Sequence, residues 1–68
     1  MDADALNMSI RKFLKHVGVH SQREIESAVQ AALADGRLKG NERLKATMTL
    51  QVEGVALEVK FDDDITLA

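Results

Sequence analysis

His16 and His20 stand four residues apart, a spacing that on one continuous helix brings two imidazoles to the same side, where they can hold a transition metal. Gly18 lies between them, however, and reads as a helix end, so a shared face does not follow from the spacing. No carboxylate completes the pair, and His16 has a simpler role as a cation near a helix C-terminus. Asp62-Asp63-Asp64 offers hard oxygen ligands but lacks the alternating D-x-D-x-D-G pattern of a calcium loop. A turn or a charged strand edge that resists aggregation accounts for it better. Arg11, Lys12 and Lys15 form the densest basic cluster and are the candidate contacts for phosphate or an acidic partner, against the plainer reading of a solvated helix face.

Other chemistry is missing from the chain. It has no cysteine, which excludes disulfides, thiolate metal sites and a thiol nucleophile. No serine sits in a G-x-S-x-G elbow, and Gly36-x-x-x-Gly40 does not extend to a phosphate-binding loop. Asn7-Met8-Ser9 matches a glycosylation sequon by coincidence, inside a segment read as a cytoplasmic helix. Sixty-eight residues rarely enclose a pocket of several hundred Å3. The expectation is a non-enzymatic protein with no catalytic, cofactor-binding or metal-binding residues.

The elements that must position these residues are legible from periodicity. Leu6, Ile10, Phe13, Leu14 and Val17 make one apolar stripe, which predicts a first helix over about Ala5–Val17 with Asp2 or Asp4 at its N-cap. Asn7 is the rival cap for a later start. Ser21-Gln22-Arg23-Glu24 spells a capping box, which predicts a second helix carrying Ile25, Ala28, Val29, Ala32 and Leu33 to a stop at Gly36. Residues 37–43 are a polar connection.

From Leu44 to Phe61 the pattern is that of a β-hairpin. Leu44, Ala46, Met48, Leu50 and Val52 alternate with polar residues, and the parity flips after Glu53-Gly54. A two-residue turn there pairs Val52 with Val55, Leu50 with Leu57, Met48 with Val59 and Ala46 with Phe61. One face is then wholly apolar and the other mostly polar. The three aspartates make either a second loop, with Ile65–Leu67 as a short third strand, or the start of a tail. The predicted fold is α+β: two N-terminal helices packed on one face of a C-terminal antiparallel hairpin, in a single domain over residues 1–68.

Size and charge bound the assembly. A domain this small buries only about 60% of its unfolded surface, so a symmetric homodimer is expected to complete the core and cover the strand edges. Residues 1–45 carry eight Lys/Arg against six Asp/Glu (+2), and residues 46–68 one against five (−4). Neither half has the dense basic patch of a typical nucleic-acid protein. The acidic start Met1-Asp2-Ala3-Asp4 is unlike a signal peptide, and no apolar run reaches the ~20 residues of a membrane span, so a cytoplasmic location is expected.

Two functional classes follow. The favoured one is a protein-interaction or structural module that binds an unidentified protein partner. The alternative is nucleic-acid binding through a degenerate helix-turn-helix with the hairpin as its wing, using the basic face of the first helix. Against it stand a turn too long for the motif, the carboxylate Glu26 on the second helix's polar face, and an acidic hairpin tip at Glu53.

Finally, Asn7–Lys15, Val17-Gly18-Val19, Ser21–Glu26 and Ala46–Leu50 resemble a family of short bacterial proteins of unknown function. The resemblance covers nearly the whole chain. It implies a stand-alone bacterial domain of this length and transfers no activity, ligand or site residue.

Overall fold

The computed structural model describes all 68 residues, Met1–Ala68. One helix, α1 (Ala3–Ala34), is followed by two strands, β1 (Arg43–Val52) and β2 (Leu57–Thr66), paired in an antiparallel two-stranded sheet. The chain is therefore α+β. Its contacts divide it into two compact units, Met1–Arg37 and Leu38–Ala68, and each is described by itself.

The two predicted helices are one. Asp2 is the N-cap, its carboxylate accepting from the N–H groups of Asp4 at 3.0 Å and Ala5 at 3.1 Å. The helix then runs through Gly18 and Ser21 without interruption. The physical reason lies in the phase of the apolar residues. Leu6, Ile10, Leu14, Val17, Ser21, Ile25, Ala28 and Ala32 follow one another in steps of four, four and three. This is an 11-residue repeat at about 3.67 residues per turn, close enough to 3.6 to hold one stripe along the whole helix. Nothing shifts the stripe to a new face at Gly18. A mid-helix glycine costs only about 1 kcal/mol relative to alanine, and no proline is present to block the ladder. Ser21 sits half-buried on the stripe instead of capping. The end falls where it was expected: Gly36 takes φ +84 just beyond the C-cap Asp35, whose N–H donates to the Ala31 carbonyl at 3.1 Å.

The hairpin keeps its predicted faces but not its predicted register. Val52 pairs with Leu57, Leu50 with Val59, Met48 with Phe61 and Ala46 with Asp63. The turn holds Glu53, Gly54, Val55 and Ala56, not two residues. A two-residue hairpin turn of the favoured kind needs φ > 0 at its first central position, which Glu53 would fill at a steric cost. In the longer turn Gly54 takes φ +85 and Ala56 takes φ +51, while Glu53 stays out of the left-handed region. Sliding by two residues preserves parity, so the apolar side chains of the two strands stay on their face, while Val55 moves into the turn.

The slide also removes the third strand. Asp62, Asp63 and Asp64 belong to β2, facing Thr47, Ala46 and Lys45, and Ile65 pairs with Leu44. Polar-face pairing accounts for this: Asp64 comes opposite a lysine, and Asp62 accepts a hydrogen bond from the Thr47 hydroxyl at 2.7 Å. Asp63 falls on the apolar face, an inward charge of the kind that discourages stray strand pairing.

Almost nothing in one copy is buried. Ala32, at 8% exposure, is the one buried side chain. On α1, Phe13 is 48% and Leu14 54% exposed; on the ribbon, Phe61 is 57% exposed.

Candidate functional site

Because α1 is continuous, the residues on either side of Gly18 acquire fixed relative positions. His16 and His20 do share a side, with ring centroids 4.4 Å apart and planes tilted by 48°. No group of three or more His, Asp or Glu side chains converges on a point where a metal could sit, so these imidazoles stand as a pair.

Arg11, Lys12 and Lys15 all project from α1 as exposed side chains. At 3.6 residues per turn Lys12 points away from the apolar stripe, while Lys15 and Arg11 turn toward one flank. None of the three is in an ion pair; the chain's one salt bridge joins Arg37 Nε to Asp35 Oδ2 at 2.7 Å. They form a free cationic face. It does not belong to a helix-turn-helix, because a single helix spans the residues that such a motif would need as its turn.

A site that sequence reading passed over lies in the connection between α1 and β1. The Glu42 carboxylate accepts from the backbone N–H of Lys39 at 2.8 Å, Gly40 at 2.9 Å and Asn41 at 3.2 Å. The Lys39 N–H does most to hold the Glu42 pKa below its ordinary value of 4.5; partial burial opposes it, and the Gly40, Glu42 and Asn41 amides add to the lowering. Three successive N–H groups converging on one anion make a nest, here filled by the chain's own carboxylate. Its role is to brace the entry to β1. The signal that would have found it was Gly40, at φ +103, two residues before an acid.

At the hairpin tip an open hollow of ≈ 690 Å3 is lined by Gln51, Val52, Gly54, Ala56 and Leu57 together with the carboxylates of Glu53 and Glu58. It presents no nucleophile and no cation to work with those carboxylates. Exposed apolar side chains also line the stripe on α1 and the face of the ribbon that carries Met48, Val59 and Phe61, with Leu50 half-buried among them.

The geometry thus defines a short α+β chain with a long amphipathic helix, a two-stranded ribbon with one mostly apolar face, and a small basic face. The chain belongs to a family of unknown function, DUF6494, whose model matches residues 1–68. No curated protein and no solved structure matches it. No helix is long and apolar enough to cross a membrane.

Proposed function

We propose that this chain is a small non-enzymatic interaction or structural module of the cytoplasm, working as a homodimer that presents its remaining surface to a protein partner. One observation carries the reading: a single copy leaves every large apolar side chain at least partly in water, with only Ala32 buried. Folding must offset about 1–2 kcal/mol of backbone entropy per residue, and hydrophobic burial is the main term available to do so. A chain of 68 residues with no disulfide has no other staple. A second copy supplies the missing cover at no cost in new sequence, and two-fold dimers are the commonest oligomers.

Arg11, Lys12 and Lys15 remain outside the apolar stripe and are the residues offered to the partner. Three cations with no acidic neighbour in an ion pair favour an acidic protein surface. The test is capture of partners from cell extract on the tagged chain, with and without nuclease, beside a triple charge-reversal variant (R11E/K12E/K15E). A protein retained after nuclease and lost from the variant supports the reading. Retention that disappears with nuclease overturns it in favour of nucleic acid.

A further inference from the structure

We infer that two copies of α1 pair antiparallel along the apolar stripe, about a two-fold axis at the level of residue 19, between Val17 and Ser21. The inference rests on the homodimer reading and specifies which surface is self-complementary and in which direction.

The stripe is graded in size. Its N-terminal half carries Leu6, Ile10, Phe13 and Leu14, and its C-terminal half carries Ser21, Ala28 and Ala32 with one large residue, Ile25. Antiparallel pairing centred at that level sets Leu6 against the second copy's Ala32, Ile10 against Ala28, and Val17 against Ser21. Large meets small at these three levels, which is how facing positions interdigitate at native density, while Phe13 comes opposite Ile25. Parallel pairing would set phenylalanine on phenylalanine at one end and alanine on alanine at the other, with overpacking and voids together. The small residues also let the axes approach toward the short end of the usual 8–10 Å range.

Charge agrees with size as a long-range bias between helix halves, since Arg11 and Lys15 lie on the flank of the stripe and Lys12 on the side away from it. Residues 3–18 hold Arg11, Lys12 and Lys15 against Asp4, three minus one or +2. Residues 20–34 hold Arg23 against Glu24 and Glu26, one minus two or −1. Antiparallel pairing brings unlike halves together, whereas parallel pairing brings like halves together. A surface complementary to itself in size and charge about one level is what an isologous interface requires. That is the reason to name a second copy, rather than another protein, as the occupant. The 11-residue repeat further implies helices that run almost straight or wind right-handed around each other.

The chain lacks cysteine, so one can be introduced cleanly. Met8 is 71% exposed and lies on the side of α1 away from the stripe. A spin label on Met8→Cys stands eleven residues from the axis in each copy. At about 1.5 Å per residue the antiparallel dimer separates the labels by ~33 Å or more. A parallel dimer gives about 25 Å or less, set by two helix diameters. A long distance at twice the 7.5 kDa chain mass supports the inference. A short distance at the dimer mass overturns the antiparallel seam and leaves the homodimer standing. A monomer mass overturns both. A second pair of variants tests the register: Ile10→Ala weakens dimerisation at least about tenfold through the cavity it leaves, and adding Ala28→Ile to the same chain restores it to within about threefold. Failure of that rescue overturns the pairing of Ile10 with Ala28.

Discussion

The Thr47 hydroxyl donates to the Asp62 carboxylate across the ribbon at 2.7 Å, fifteen residues away in sequence. The contact exists only in the register that pairs Leu50 with Val59, because the alternative two-residue slide would set Thr47 against Lys60. One polar pair thus reports how all the apolar residues of both strands are matched. The register is checked by nuclear Overhauser contacts between the strands: Leu50 to Val59 is expected, and Leu50 to Leu57 as the directly opposed pair would contradict it. Thr47→Ala is expected to cost about 0.2–1 kcal/mol, the range of an exposed cross-strand pair, read from a denaturant midpoint.

Gly18 is the least favourable helix residue in α1. Its backbone is helical, and an added Cβ meets nothing within 4 Å. Gly18→Ala is therefore expected to stabilise the chain by about 0.5–1 kcal/mol and to raise the melting temperature followed at the helical circular-dichroism band. A destabilised variant would mean that Gly18 marks a helix end, as its sequence position first suggests.

Asp2 caps the N-terminus of the single helix. Its carboxylate holds two orphan N–H groups, those of Asp4 and Ala5. Asp2→Ala is expected to cost about 0.5–2 kcal/mol. Ser21→Ala, by contrast, is expected to cost far less than the loss of a cap, because Ser21 lies inside the helix. Denaturant unfolding of the two variants side by side decides between one helix and two.

Glu42 sets an acid-side limit on the second unit. Its pKa is lower in the folded chain than the ordinary 4.5, so the folded state binds the proton less readily than the unfolded state. The contribution is fully present above pH 4.5 and is lost as pH falls through the depressed folded value. Amide resonances of Lys39, Gly40 and Asn41 should move together with the Glu42 carboxyl carbon in an NMR titration, with a midpoint below 4.5. Glu42→Gln should abolish that joint transition.

Much of this architecture was readable from the residues alone. The α+β order, the helical character of Leu6–Val17 and Ile25–Leu33, the stop at Gly36 and the two faces of the ribbon follow from periodicity, which is a property of neighbours in sequence. Sequence and structure differ where a local signal competes with a longer one. Gly18 and the Ser21–Glu24 box are genuine end and start signals over a few residues, but an 11-residue phase spanning both overrides them. Alternation leaves the hairpin turn open, because it is indifferent to a slide of two. Only the steric preference of Glu53 and the polar partners of Asp62 and Asp64 separate the registers. The candidate contacts Arg11, Lys12 and Lys15 do lie together on one helix, whereas the Glu42 nest is made of backbone N–H groups, and its one trace in the sequence is Gly40 two residues before Glu42.

Neither unit by itself covers its apolar face, and Ala32 is the one buried side chain. Sedimentation equilibrium of the unmodified chain, run over a wide concentration range, tests the homodimer most directly. Twice the 7.5 kDa chain mass is expected throughout, with dissociation and loss of helical signal occurring together on dilution. A folded particle of 7.5 kDa that keeps its helical signal at high concentration would contradict it.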